Sequence, residues 1–404
     1  SPRMANGGLV PWPEVLLGNI RRDFVFRALQ PGANMSALCR EYGISRKTGY
    51  KWLNRYRKDG VAGLQDQSRR PSTTPLQVSA ETALLAVRLR RAHPRWGPKK
   101  IQVLLANELA EGESVPCVRT VARILERAGE VNRRRRRPAP AARPSEAPVV
   151  RAESPNDVWT VDFKGWWRTG DGARCEPLTV RDAATRYILC VRLVPSTSYV
   201  VVREVFEELF QRYGVPRAIL SDNGTPFACT RALRGLTRLS AWWRAIGIEH
   251  LRSRPAHPED NGGHERMHGD MKMELQARAL HTLVEQQAAC DEWVDEFNYI
   301  RPHESLDMQT PASRYRPSSR PMPRLVLGGY PDGYEVRMVN RNGIFRYGGR
   351  DVTASKALQG YPVGIQRVDA GLQVWFYDLL LGTLEPAEGR KVQPVVHTPC
   401  PTVT

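Results

Sequence analysis

Apolar positions fall at helical spacing in three early stretches, Ile20 to Gln30, Met35 to Tyr42 and Ser45 to Tyr56. Pro31-Gly32 breaks the first, Gly43 turns the second into the third, and Ser45 suits a helix N-cap. Leu38, Ile44 and Trp52 are the expected core of this unit. The helical spacing returns over Ala80–Ala92, from Gly97-Pro98 to about Leu109, and over Val118–Ala128, with Pro98 fit for a first turn. From Val158 the period drops to two. Val158, Thr160 and Asp162 alternate with Trp159, Val161 and Phe163, which predicts a strand with Asp162 on its less apolar face. Pro177–Asp182, Tyr187–Val194 and Arg217–Ser221 read as further strands. Between them, Val202, Val205, Phe206 and Leu209 predict a helix over about Ser198–Tyr213, closed by Gly214. A last series of short β-like runs (Tyr334–Val339, Gly343–Tyr347, Pro362–Val368, Val374–Tyr377 and Leu380–Leu384) predicts a small barrel.

The fold class is therefore multidomain: all-α helix-turn-helix modules, an α/β core and a small SH3-like β-barrel. The expected boundaries are 1–66 for the first module, 67–79 for a basic extended linker and 80–131 for a second, winged-type module. An Arg/Pro-rich linker at 132–154, a core at 155–320, a barrel at 325–390 and a tail at 391–404 complete the chain. A length of 404 residues suits several domains and an ample core.

Charge changes the picture. The net charge is +18, and residues 1–150 hold 28 Lys and Arg against 12 Asp and Glu, leaving 32 against 30 in the rest. A basic front and a near-neutral remainder imply a polyanionic partner gripped by the front. Arg46, Lys47, Thr48 and Lys51 crowd the start of a helix that could enter a DNA groove. Arg69 and Arg70 lie in an extended SRRPSTTP segment, either a minor-groove arm or a plain linker. Lys99, Lys100, Arg119 and Arg123 give the second module a basic surface. Arg133, Arg134 and Arg135 open an unbroken run of five arginines that suits sequence-independent phosphate contact or simple solvation. Seven scattered cysteines form neither a CxxC pair nor a zinc-finger set, so structural zinc is not expected and reduced thiols in a cytoplasmic setting are. No long apolar span suggests a membrane.

The candidate chemistry is acidic. Asp162 sits in VWTVDFKG, Asp222 in AILSDNGTPF, and Glu265 in PAHPEDNGGHERMHGDMK. Each aspartate lies in or just after a β-like run, and Glu265, His268 and Lys272 share one face of a helix that starts near Asn261. Three carboxylates brought to one point could bind hard divalent cations, and two such ions serve phosphoryl transfer. Taken singly, each also fits a turn former, a cap or a solvated helix face.

Together the boxes VDFKG, LSDNGTPF and DNGGHERMHGDMK resemble the DDE transposases of bacterial insertion sequences, whose core is like retroviral integrase. The resemblance spans essentially the whole chain. It implies an RNase H-like core, with Asp162, Asp222 and Glu265 as catalytic metal ligands for two Mg²⁺ or Mn²⁺ ions. It also implies binding of terminal inverted repeats, 3′-end cleavage and strand transfer into target DNA by at least a dimer, in a bacterial, nucleoid-associated setting. Lys272, seven residues after Glu265, matches a family position beside the reacting DNA end. His268 is a DNA contact, an acid/base or a polar helix-face residue. The 42 residues between Asp222 and Glu265 exceed the family's usual spacing, and the excess is expected as a helical insertion within Cys229–Trp243. A silent DNA-binding regulator and a nuclease that cuts without joining are the other readings of the same architecture.

Overall fold

The computed structural model describes residues 17–66, 78–131, 152–254, 261–323, 329–369, 371–385 and 391–394. The chain forms two compact units, Ser1–Val78 and Ser79–Thr404.

In the first unit α1 (Leu17–Ala28), α2 (Met35–Glu41) and α3 (Arg46–Asp59) form a helical bundle. The Asn34 side chain accepts from the Ser36 and Ala37 amides, and Ser45 Oγ accepts from the Thr48 amide, so both later helices are capped as their sequences suggest. Phe24, Val25, Leu38, Cys39, Trp52, Leu53 and Leu64 are the core, with Ile44 at its margin. Gly49 lets α3 cross closely: a Cβ there would stand 2.6 Å from Cys39 Sγ.

The second unit begins with α4 (Ala80–Ala92), α5 (Pro98–Glu108) and α6 (Val118–Arg127), packed through Ala86, Leu89, Ile101, Leu105, Val121, Ile124 and Leu125. Among the described residues of this module there is no strand, so the winged form expected at 80–131 has no counterpart there.

The core that follows is a five-stranded sheet. Its strands are β1 (Val158–Phe163), β4 (Pro177–Asp182), β5 (Ile188–Leu193), β6 (Ala218–Ser221) and β7 (Glu249–Arg252), in the order β5-β4-β1-β6-β7; a short hairpin of β2 (Trp167–Arg168) and β3 (Arg174–Cys175) stands apart. β1 runs antiparallel to β4 and parallel to β6. One face is covered by α7 (Tyr199–Tyr213) and α8 (Arg238–Ala245), through Trp159, Val161, Leu178 and Val180 on the sheet and Phe206, Leu209, Phe210, Trp242 and Trp243 on the helices. On the other side α9 (Gly262–Glu274) and α10 (Leu283–Asp295) pack on Ile188 and Val191 through Met267, Met271, Cys290 and Trp293. The expected insertion is thus no appendage. α8 holds Trp242 and Trp243 at 3% and 0% exposure inside the core, because Leu239 and both tryptophans point at α7 and the sheet.

After a one-turn α11 (Pro311–Arg314) the described residues of the C-terminal part form six strands. They are β8 (Tyr334–Met338), β9 (Ile344–Tyr347), β10 (Arg350–Thr353), β11 (Pro362–Val368), β12 (Gly371–Phe376) and β13 (Leu379–Leu384), arranged as a β13-β12-β11-β8 sheet and a β10-β9 hairpin. Phe345, Val352, Val363, Ile365, Val374 and Phe376 share one core, joined by Leu236, Ala241 and Ala245 from around α8.

Candidate active site

Period-two alternation decides what reaches the site. In the β1–β4 register Asp162 stands opposite Thr179 and Thr160 opposite Arg181, while their chain neighbours Val161 and Val180 enter the dry core on the opposite face. The Thr179 hydroxyl donates to the Asp162 carbonyl at 2.9 Å and also lies 2.9 Å from His268 Nε2 on α9. With that hydroxyl proton spent on Asp162, His268 must donate from Nε2, so its Nδ1 carries a lone pair, 3.9 Å from Asp162 Oδ2. Burial, then Lys164 and Arg181, hold His268 down to about 4, so it is neutral at physiological pH.

Asp222 follows β6 directly. Its carboxylate folds over Gly224, where a Cβ would come within 2.9 Å of Oδ2, so any other residue there would push the Asp222 side chain aside. Asn223 Nδ2 donates to the Ser253 carbonyl at 2.8 Å and ties this turn to the end of β7. Glu265 lies in the first turn of α9, exposed like Asp222.

Asp222 and Glu265 act on Asp162. Asp162, whose side chain is 27% exposed, is pushed up to about 7, first by burial, then by the charge of Asp222 and by that of Glu265, while the Phe163 amide opposes the shift. Charges from the end of β6 and the first turn of α9 thus reach Asp162 near the C-terminal end of the sheet's parallel strands, the usual place for ligand-handling groups in open α/β sheets. Among the described residues no three or more acidic, histidine or cysteine side chains stand together as a group that could hold a metal ion. The donor set nevertheless fits Mg²⁺ or Mn²⁺: it is all carboxylate oxygen, and Mg²⁺ takes only one or two carboxylates while keeping water and phosphate in its other positions.

The other residues singled out in the sequence divide. Arg46, Lys47, Lys51, Arg119, Arg123 and Lys272 are exposed. Thr48 is half-buried, and its hydroxyl is hydrogen-bonded to that of the Ser45 cap at 2.9 Å. Lys99 is ion-paired with Glu304 at 2.9 Å. Lys100 is half-buried, 5.7 Å from the centre of the Trp96 ring, and burial and Arg301 lower its pKa. The start of α5 thus meets the core through the Lys99–Glu304 pair, whose side chains are both exposed. His268 is turned inward to Thr179. Arg69, Arg70, Arg133, Arg134 and Arg135 lie outside the described residues. Two neighbouring acids, Asp182 at the end of β4 and Asp270 on α9, are engaged elsewhere: Asp182 accepts from the Asn156 amide and from the Thr185 amide and hydroxyl, and Asp270 pairs with Arg301 at 2.9 Å. Lys164 was not singled out from the sequence. It approaches Lys272 closely enough that the two charges repel, and burial with that repulsion lowers its pKa. Only its place two residues after Asp162 could have signalled it.

Known proteins resemble this chain over much of its length. Two models described as integrase core domains match residues 152–258 and 246–311, a helix-turn-helix domain matches 20–72, and a homeodomain-like domain matches 48–125. The chain is 26% identical over 282 residues to the insertion element IS476 uncharacterized 39.2 kDa protein of Xanthomonas euvesicatoria, covering 70% of this chain and 78% of that protein. It is 27% identical over 236 residues to the insertion element IS407 uncharacterized 31.7 kDa protein of Burkholderia multivorans, covering 57% and 80%. The chain thus carries an integrase core behind helix-turn-helix domains and is similar to proteins of insertion elements. Among solved structures, the catalytic core domain of HTLV-2 integrase in complex with magnesium matches with a TM-score of 0.32 and 16% identity, over 41% of this chain and 100% of that one. Among the described residues no helix is long and apolar enough to cross a membrane.

Proposed function

We propose that this chain is a DDE-type transposase that binds the terminal inverted repeats of an insertion element, cleaves at their 3′ ends and joins those ends to target DNA. What supports this reading is the match of integrase core models to residues 152–258 and 246–311, the span that holds Asp162, Asp222 and Glu265, together with the charges of Asp222 and Glu265 that reach Asp162. In the first step water attacks a phosphodiester and the P–O3′ bond breaks, freeing a 3′-OH. In the second, that hydroxyl attacks a target phosphodiester and displaces a target 3′-oxygen. One phosphodiester replaces another, so neither ATP nor a covalent enzyme intermediate is needed.

Asp162, Asp222 and Glu265 would hold two Mg²⁺ or Mn²⁺ ions, which when bound activate the attacking oxygen and stabilise the leaving one. The chain's own groups have separate tasks. Asp162 is anchored on β1 by Thr179 and flanked by His268, while Asp222 and Glu265 are the exposed arms of the trio. Lys272 and Lys164 supply positive charge at the mouth for the phosphates of the reacting end. Exposed Arg46, Lys47 and Lys51 of the first module, and Arg119 and Arg123 of the second, read or grip the repeat. Joining two ends requires at least two active sites, so the working form is a dimer or larger assembly on DNA, in the bacterial cytoplasm and at the nucleoid. The C-terminal strands would form an SH3-like barrel.

The test is a strand-transfer assay with an end-labelled duplex carrying the element's terminus. The wild-type chain should nick and join it in Mg²⁺ or Mn²⁺. Asp222→Asn should retain the duplex yet give no joined product. Nicking without joining would favour a nuclease, and retention without either reaction a silent regulator.

A further inference from the structure

One corner of the catalytic face carries charge that the trio does not use. Arg181, on β4 opposite Thr160, is only 6% exposed. Its Nε is buried with no hydrogen-bond partner, and among the described residues no carboxylate lies within ion-pair distance of its guanidinium. Asp182, the acid that acts on it, has both carboxylate oxygens engaged by Asn156 and Thr185. The guanidinium lies instead against the first turn of α9: a Cβ on Gly263 would stand 2.5 Å from one Nη and 2.7 Å from the other. That is the positive end of a 13-residue helix, where a cation is disfavoured. The N-cap Asn261 makes no side-chain cap to the first-turn amides, because its Oδ1 meets His264 Nδ1 at 3.0 Å. Arg186 and Arg266 add further positive charge, and both repel Arg181.

A buried cation at a helix's positive end, beside two like charges, is costly in the free chain and is relieved only by an anion. We propose that Arg181, Arg186 and Arg266, with the first-turn amides of α9, form a phosphate-binding site separate from the acidic trio. Oxyanions at helix N-termini and planar guanidinium donors are complementary in geometry and charge. Arg181 and Asp162 lie on the same sheet face, two residue pairs apart in the β1–β4 register, and Glu265 shares the turn with Gly263. The site would therefore hold a phosphate next to the reacting one. That this phosphate belongs to a DNA strand, rather than to free phosphate, rests on the transposase reading.

The test compares the full-length chain with Arg181→Leu and, should that variant fail to fold, with Arg186→Gln. In the first arm thermal unfolding is followed with inorganic phosphate against chloride at matched ionic strength. Wild type should be stabilised by phosphate; Arg181→Leu should start from a higher midpoint without phosphate and lose the response. In the second arm a duplex is titrated without divalent cations across a salt series, and the variant's slope of log affinity against log salt should fall by about one phosphate contact. A phosphate response unchanged in the variants overturns the site. A lost phosphate response with an unchanged salt slope overturns the assignment to DNA. If wild type never nicks or joins DNA while the Arg181-dependent phosphate response persists, the transposase reading fails and the phosphate site stands.

Discussion

The two faces of the central sheet are built from alternate residues of the same strands, β1 and β4, and could hardly differ more. One face is Trp159, Val161, Leu178 and Val180, sealed by α7 and α8; the other is Thr160, Asp162, Thr179 and Arg181, under the first turns of α9. The dry face fixes the strand register, since a slip of one residue would exchange the two sets. The polar face takes advantage of that rigidity: Asp162 tolerates the nearby charges of Asp222 and Glu265 because its backbone cannot move away. Stability and chemistry are therefore separable by substitution, and each prediction below either breaks or sharpens that separation.

The largest effects fall at opposite faces. Trp243→Ala, in the sealed layer, should cost about 3–5 kcal/mol in chemical denaturation. Asp222→Asn or Glu265→Gln, both exposed, should leave that stability within about 0.5 kcal/mol while lowering strand transfer at least ~10³-fold. A smaller loss, about 3 kcal/mol, is expected for Arg301→Leu. That arginine is 2% exposed, pairs with Asp270 at 2.9 Å and Glu274 at 2.6 Å on α9, and lies 5.5 Å from the Trp96 ring of the second module. Limited proteolysis of the 78–131 module in this variant would report whether the contact also holds the module to the core.

Next in size is a pH effect. The folded-state pKa of Asp162 is raised from 3.8 to about 7, so its protonated form favours the fold below the ordinary carboxylate range. That contribution is lost as pH rises through about 7 in the absence of divalent cations. The unfolding midpoint of wild type should therefore fall over this window more than that of Asp162→Asn, and added Mg²⁺ should restore it only in wild type. Smallest of all, Lys272→Ala should reduce the salt slope of DNA binding by about one without changing stability.

Much of this was legible in the sequence because it is local. Ser45 caps α3, Gly97-Pro98 opens α5, and Pro177–Asp182 and Pro362–Val368 are strands with the expected ends. What escaped was set by distant partners. β7 reads Glu-His-Leu-Arg, with too little apolar alternation to declare itself, and it is fixed by its parallel pairing with β6. β10 has one apolar residue, Val352, and depends on β9. α8 was expected as a helix within Cys229–Trp243 and is one; what escaped is its place between the sheet and the C-terminal strands. At the site, the three acidic boxes were visible as motifs. The inward turn of His268, the pairing of Lys99 with Glu304 and the stranded charge of Arg181 depend on which helix lies across the sheet, and no spacing encodes that.

The claim that Asp162, Asp222 and Glu265 form one cation-binding centre is tested most directly by calorimetric titration of Mn²⁺ into the full-length chain and its Asp162→Asn, Asp222→Asn and Glu265→Gln variants. Wild type should take up the ion with release of protons near pH 7 as Asp162 ionises, and each single substitution should weaken uptake by about tenfold or more. Uptake unchanged by all three substitutions would contradict the account.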